Sequence, residues 1–421
     1  MGPRCVAATV LLVAGLGATT ALAEDPLNSN NRPTGTSASS DAQAHNEFNL
    51  VPVAGGTTDI GIGGGYFMGF DRVSPGNAPY DWNIESAGFL TFAPGTGGGV
   101  IVPYQDVYLK LTVPRFILPT LQLEIRPEYS WETTLLYDGL GNASAPLPAG
   151  APDRTNEYGR LHPELDIDLR WRVVNHLIGR IGLRYIQNWL QVASDSKLNQ
   201  DMLTGSAEVK RLLGSTAPSG VALFNYGIQL DTRDNTVSTH GGTFDSFDVR
   251  VSPGGTTWLP YRYAQATADM RFFIPIWMPR ITLAGRVAGD VLYGDPPFYE
   301  LARFEDTYAI GGLNGVRGVP AQRYYGKVKV LGNVELRTEI LSFHALGKPL
   351  IFGVVGFFDG GRVWADTSPQ PALDGHGVGL KYGVGGGLRL QSGSAFVIRA
   401  DVAWSPDATP VGGYFSAGQM F

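Results

Sequence analysis

Hydrophobic and polar residues alternate one by one along several segments of the chain. Between Pro163 and Val173 the apolar residues are Leu165, Ile167, Leu169, Trp171 and Val173, and every residue between them is charged. Segments that begin at Leu121, Arg262 and Lys327 alternate in the same way. A period of two residues is typical of β-strands whose two faces meet different surroundings. The pattern therefore predicts an all-β protein.

The length of these segments favours one class of β-protein over another. They run for about ten residues or more, whereas strands of soluble proteins usually have about five or six. A tilted strand needs about 9–11 residues to cross a bilayer, and the interior of a membrane barrel is polar. A soluble antiparallel sheet with one wet face explains the alternation. It does not explain the length together with the export signal and the Trp and Tyr residues near strand ends.

The alternating pattern predicts a 16-stranded antiparallel transmembrane β-barrel. The predicted strands end near Ala54, Phe70, Phe92, Phe116, Glu132, Val174, Leu190, Thr232, Val251, Ile274, Leu292, Leu341, Trp364, Leu390, Trp404 and Phe421. The connections between them are alternately short and long, which is typical of short periplasmic turns and longer external loops. Both termini are then expected in the periplasm. The first strand, around Phe48 to Val53, is predicted to be short.

The N-terminal region predicts export. Residues 1–23 read as a signal peptide, with Arg4 at the start, an apolar stretch from Val6 to Leu16, and small residues before the cleavage site. Residues 24–47 are rich in Asn, Ser, Thr and Ala and are predicted to be a flexible periplasmic leader. Residues 48–421 are then the barrel, and the expected location is the bacterial outer membrane.

Composition and spacing exclude several functions. The net charge of −6 offers no basic field for nucleic acid. The only cysteine, Cys5, lies in the predicted signal peptide, and the six histidines lack ligand spacing, so no metal site is expected. No Ser/His/Asp arrangement stands out, and no helix follows the glycine-rich Gly61–Gly65. We therefore expect no catalytic residues, no cofactor and no enzymatic activity.

Four segments, in this order, resemble motifs of the BamA/TamA-type outer-membrane superfamily. They are Leu230–Asn235, Gly311–Gly318, Gly332–Arg337 and Phe357–Trp364. This superfamily of bacterial surface antigen barrels also includes the two-partner secretion transporters. The aromatic Phe421 resembles the end of the family's last strand. The resemblance implies that the loop between strands 11 and 12 folds into the lumen of the barrel.

The resemblance also implies a binding site for that loop. Its motif, Val316, Arg317 and Gly318, would lie in the lumen, with Arg317 clamped by Glu335 and Asp359. The sequence pattern is consistent with this pairing, because Glu335 falls on the polar face of its strand and Asp359 interrupts an apolar run. A guanidinium away from bulk water needs bidentate carboxylate partners that a lysine does not match. From the residues alone, a solvated turn residue is the open alternative for Arg317.

The function implied by the resemblance is the assembly or translocation of proteins through a weak seam between the first and last strands. Pro52 and Phe421 are the predicted seam residues. Pro52 and Gly55–Gly56 limit ladder hydrogen bonds, and an under-paired edge can template an incoming strand or disturb nearby lipid. The alternative is a passive outer-membrane channel or a structural barrel in which the loop is a plug.

The resemblance also bears on partners. BamA and TamA carry periplasmic POTRA domains, for which this chain has no room. Client capture is therefore expected to be absent or delegated to a separate periplasmic partner protein. The other expected partners are outer-membrane lipid and client outer-membrane or secreted proteins.

Overall fold

Sixteen antiparallel strands form a closed β-barrel. The computed structural model describes residues 43–77, 79–95, 98–146, 155–277, 280–304, 307–345, 348–392 and 396–421. The strands are β1 (His45–Thr57), β2 (Gly61–Val73), β3 (Trp82–Pro94), β4 (Tyr104–Val113), β5 (Leu121–Leu136), β6 (Glu157–Val174), β7 (Leu177–Gln191), β8 (Ser219–Asp231), β9 (Gly242–Ser252), β10 (Tyr263–Trp277), β11 (Ile281–Gly294), β12 (Val328–Ala345), β13 (Lys348–Trp364), β14 (Lys381–Ser392), β15 (Phe396–Ser405) and β16 (Ala408–Ala417). Each strand pairs with the next along the chain, and β16 closes the barrel on β1. The predicted fold class is confirmed.

Alternation of side chains separates a polar interior from an apolar outer wall. Along β12 the buried residues include Lys329, Asn333 and Glu335. Residues of the opposite parity, such as Val330, Val334 and Leu336, are exposed on the outside. A period of two residues therefore gives a charged lumen and a surface that suits lipid. Each predicted strand end lies within four residues of the observed one.

The first strand differs from its prediction. It was expected to be short, around Phe48 to Val53, but β1 spans His45–Thr57 and pairs with β2 along its whole length. The barrel consequently begins at His45 rather than at residue 48. Pro52 does not end the strand, because a proline is tolerated where one edge of a strand lacks a ladder partner.

The two ends of the barrel differ in their connections. One end, here called the turn end, has short turns such as residues 175–176 and the C-terminal residues 418–421. The other, the loop end, has long connections at residues 137–156, 192–218, 295–327 and 365–380. These contain the helices α1 (Lys197–Thr204), α2 (Ala207–Leu213) and α3 (Pro371–Asp374) and a 3₁₀ turn at Phe298–Ala302. Two-residue strands lie at Val100–Ile101, Arg303–Phe304 and Thr307–Tyr308.

The long connections pack together over the loop end. Side chains from α1, α2, the 3₁₀ turn and the upper parts of β5 to β8 form one apolar cluster, which includes Tyr137, Leu198, Leu213 and Phe298. Ser196 and Ser206 cap the two longer helices by accepting the N–H groups of residues 199 and 209 at 3.2 Å. No helix in the described part of the chain is both long enough and apolar enough to cross a membrane.

Candidate functional site

The connection between β11 and β12, residues 295–327, enters the lumen and is called the lumen loop below. Its apolar residues Ile310, Val316 and Val319 are buried against the inner wall of the barrel. The loop reverses at Gly311, whose φ is 114°, and there a Cβ would lie only 2.0 Å from the Pro320 oxygen. Glycine is therefore required at this turn, both for its backbone conformation and for space.

Arg317 lies at the tip of the lumen loop and is fully buried. Its Nε and Nη2 donate to the two carboxylate oxygens of Asp359 at 2.7 and 3.0 Å, and its backbone N–H donates to the same carboxylate at 3.1 Å. Its Nη1 donates to Glu335 Oε1 at 2.7 Å. The planar guanidinium thus engages Asp359 bidentately and reaches Glu335 with its remaining amino group. The structure brings all three predicted residues together.

Two further partners of Arg317 were not anticipated from the sequence. Nη1 also donates to Asp401 Oδ2 at 3.0 Å, and the guanidinium carbon lies 3.3 Å from the centre of the Phe357 ring. The alternation of β15 shows that Asp401 shares a face with Arg399 and points into the lumen. It does not show that Asp401 lies level with the lumen loop. That requires the register of strands far apart in sequence.

The three acids around Arg317 are shared with other cations. Arg337 donates to Glu335 at 2.8 Å, and Arg389 pairs with Asp401 at 2.5 Å. Burial lowers the pKa of Arg317, but the adjacent Asp359, Glu335 and Asp401 outweigh it and raise that pKa above its usual value. Arg317 therefore stays charged. We call Arg317, Glu335, Asp359 and Asp401 the arginine hub.

The backbone of the loop tip is held from several strands. Asn333 of β12 donates to Gly315 O at 2.9 Å, and Arg286 of β11 donates to Asn314 O at 3.0 Å. Arg399 of β15 donates to Asn314 Oδ1, also at 3.0 Å. The loop tip is thus fixed by strands β11, β12, β13 and β15, which form one side of the barrel.

The seam between β1 and β16 has few ladder pairs. Gly56 faces Phe415 and Thr57 faces Tyr414, and the Thr58 N–H donates to Gly413 O at 3.0 Å just above them. Residues 45–55 of β1 have no partner on β16 in the described part of the chain. By contrast, β1 pairs with β2 along all of its length. The seam is therefore joined only at the loop end.

The two predicted seam residues lie outside these pairs. Pro52 faces Tyr66 of β2 and belongs to the unpaired stretch of the edge. Phe421, expected at the seam, lies instead in the lumen, where it packs on Phe273 and its backbone oxygen accepts from Arg337 at 3.0 Å. The reason is that the chain leaves β16 after residue 417 and turns at Gly418, whose φ is 85°.

The lumen loop contacts β16 and the turn that follows β1, both at the loop end of the seam. The Gly318 N–H donates to the hydroxyl of Tyr414 on β16 at 2.8 Å. In the turn after β1, the Asp59 carboxylate accepts the backbone N–H of Ala321. Burial raises the pKa of Asp59 to about 6, and this hydrogen bond offsets part of that effect. The arginine hub and the seam are consequently connected through the loop.

The lumen also holds a cavity of about 290 Å³. Its lining includes Arg180, Asp248, Asp269, Arg271 and Arg286. Asp269 pairs with both Arg271 and Arg286 at 2.9 and 2.8 Å. The charged residues that line the cavity therefore lie in ion pairs.

Comparison with known proteins agrees with the barrel fold. Residues 149–421 match the model of the Omp85 superfamily domain. BamA from Haemophilus ducreyi lacking POTRA domains 1–3 has a similar structure, with a TM-score of 0.58 at 14% identity over 89% of this chain and 70% of that one. CdiB from Escherichia coli has a TM-score of 0.54 at 14% identity over 88% of this chain and 62%, less than two thirds, of its own. The sequence matches no curated protein.

Proposed function

Because this chain belongs to the Omp85 superfamily and is an outer-membrane β-barrel, we propose that it assembles or translocates other proteins through the seam between β1 and β16. The observation that carries this proposal is the seam's two ladder pairs, Gly56 with Phe415 and Thr57 with Tyr414. The function is proposed to be non-enzymatic, with the seam edge as the working element.

The unpaired edge of β1 supplies the driving force. Backbone N–H and C=O groups that lack partners in a bilayer cost several kcal/mol each, about the cost of burying any polar group without a hydrogen bond. Along residues 45–55 the β16 side of β1 has no ladder partner among the described residues. An incoming strand would satisfy these groups by β-augmentation, which is a recurring mode of peptide recognition. The proposed client is therefore a chain that arrives extended, from an outer-membrane or secreted protein.

The lumen loop is proposed to hold the loop end of the seam closed. It is fixed to the barrel wall by Arg317, and it reaches the seam through the Gly318–Tyr414 hydrogen bond and the contact of Ala321 with Asp59. Release of the loop would remove both contacts from the part of the seam that is still paired. We further propose that a separate periplasmic partner delivers the client.

A disulfide across the seam tests this function. Thr58 and Gly413 are suitable positions for the two cysteines. A Cβ on Gly413 would lie 3.7 Å from Thr58 Cγ2, and the φ of Gly413 is not in the left-handed region. The only native cysteine is Cys5. The matched control joins Leu336→Cys to Gly356→Cys, which face each other in the ladder between β12 and β13.

The readout is the outer-membrane protein profile of a strain that depends on the variant. We expect the oxidised Thr58→Cys/Gly413→Cys strain to lose outer-membrane or secreted proteins and to regain them when dithiothreitol is added. The control pair should match the wild type under both conditions. If the seam were fully crosslinked and the outer-membrane protein profile stayed unchanged, the proposed function would be wrong.

A further inference from the structure

The outer wall of the barrel carries a groove that the seam and the lumen loop do not involve. It lies across β11, β12 and β13 and beneath the connection after β13, and its volume is about 470 Å³. Its lining is mostly apolar and includes Val287, Val330, Val334, Phe358 and Leu380. Val287, Val330, Val334 and Phe358 lie on the outward face of the strands, opposite the charged lumen, and Leu380 of the connection packs over Gly360 on the same face.

Two paired glycines form the floor of the groove. Gly332 of β12 and Gly360 of β13 face each other in the ladder and share the outward-facing side of the wall. A Cβ on Gly332 would meet only two backbone oxygens, at 3.9 and 4.0 Å, and neither glycine has a positive φ. The fold therefore does not require glycine at position 332. What the glycine provides is an open space on the surface.

A cation lies at the loop end of the groove. Arg362 is on the outward face near the end of β13, opposite Val330 in the ladder, and its guanidinium carbon is 4.8 Å from the centre of the Trp364 ring. Its Nη1 donates to the carbonyl oxygens of Gly377 and Val378. Its Nη2 donates to Asp374 O at 3.5 Å. The acceptors of this guanidinium in the described part of the chain are therefore backbone carbonyl oxygens, and no carboxylate there neutralises its charge.

We propose that the groove binds one acyl chain of a phospholipid whose headgroup has a net negative charge, with the phosphate beside Arg362. In a bilayer, the chain gains no hydrophobic energy by leaving other acyl chains. The gain comes from close packing against the glycine floor and from a charge-assisted hydrogen bond between guanidinium and phosphate. Arginine together with an interfacial tryptophan suits the level of lipid headgroups.

The glycine floor provides the first test. Gly332→Leu fills the groove, and Gly356→Leu is its matched control, because Gly356 is exposed on the same wall with nothing within 4 Å of an added Cβ and does not line the groove. Barrels are released from phosphatidylglycerol nanodiscs, and native mass spectrometry counts the lipids that remain bound. We expect Gly332→Leu to retain one lipid fewer than the wild type and Gly356→Leu to retain the same number.

The headgroup provides the second test. Both lipids bear a phosphate, but the choline cation of phosphatidylcholine is repelled by Arg362. From equimolar phosphatidylglycerol and phosphatidylcholine, the wild type is therefore expected to retain mainly phosphatidylglycerol, and Arg362→Gln is expected to lose that preference. Heat-modifiable migration on gels verifies folding, and Gly332→Val replaces Gly332→Leu if the latter does not fold. Equal lipid retention by the wild type and a folded Gly332 variant would overturn the proposal. The proposal would also be overturned if the wild type bound a second copy of the protein in place of the lipid and Gly332→Leu abolished that binding.

Discussion

Arg317 and Asp359 are joined by three hydrogen bonds, two from the guanidinium at 2.7 and 3.0 Å and one from the backbone N–H at 3.1 Å. Both side chains are fully buried. The backbone bond fixes the loop tip, and the bidentate pair fixes the guanidinium plane, so Asp359 determines both the position and the orientation of Arg317. Glu335 and Asp401 then complete the arginine hub from two other strands.

Replacing Arg317 by lysine should weaken the anchor of the lumen loop. Arg317→Lys keeps the positive charge but loses the planar pair of N–H donors that engages a carboxylate bidentately. At least one carboxylate is therefore left with poorer hydrogen bonds. We expect a loss of about 1.5–3 kcal/mol, the range for hydrogen bonds to charged groups, together with faster proteolysis of the loop. The measurement is the urea midpoint in detergent micelles.

Arg211→Lys is the control for that experiment. Arg211 pairs with Glu208 and Asp366, but its side chain is 44% exposed. An exposed pair contributes about 0–1 kcal/mol, so this variant should unfold close to the wild type. Equal midpoints and equal loop proteolysis for Arg317→Lys and Arg211→Lys would contradict the anchoring role.

Asp401 should be coupled energetically to Arg317. Because they share a hydrogen bond at 3.0 Å, Asp401→Asn and Arg317→Lys should not act additively in a double-mutant cycle. An interaction energy of about 0.5–3 kcal/mol is expected for residues in one network. Asp407→Asn serves as the control, since Asp407 pairs with Lys381 instead. If Asp401 and Arg317 proved as additive as the control pair, Asp401 would not belong to the arginine hub.

Asp59 should make the barrel less stable as the pH rises. Its pKa is raised from 3.8 to about 6 by burial, so the folded protein prefers the neutral acid. The cost of ionising it is absent well below pH 3.8 and complete above about pH 6. We expect the unfolding temperature to fall across this window. The Asp59→Asn variant should lack that part of the pH dependence. Identical pH profiles of the unfolding temperature for both proteins would exclude this role of Asp59.

Planar-bilayer conductance separates a protein-handling barrel from a passive channel. The hub and the loop tip occupy the lumen, so the wild type is expected to show no steady large conductance. Deletion of residues 311–318 should open a steady pore, whereas deletion of residues 255–258 in the connection after β9 should not. A wild-type barrel with a steady open pore would favour the channel function.

Much of the fold was predictable from the sequence because a barrel strand has one apolar and one polar face. The period of two residues located strand ends to within a few residues, as at Val174 and Trp364. The length of the first strand was not predicted from the alternation, because Gly55 and Gly56 interrupt it. Its true length follows from pairing with β2, which local sequence does not show.

The candidate site was predictable only in part. Glu335 and Asp359 lie near the loop motif in sequence and on lumen-facing positions, and both contact Arg317. Asp401 is 84 residues from Arg317 and reaches it only through the closure of the barrel. The inward turn of Phe421 was missed for a similar reason, because its packing on Phe273 depends on the far wall.

Hydrogen–deuterium exchange along β1 reports directly on how many residues of the seam are paired. Amide groups that lack a ladder partner exchange quickly, whereas those in a two-sided ladder are protected up to global unfolding. Within residues 45–55, we expect fast exchange at the amides that face β16, and slow exchange throughout residues 328–336 of β12, which has partners on both sides. Equal protection of the two strands would show a fully paired seam and would rule out β1 as an open edge for an incoming strand.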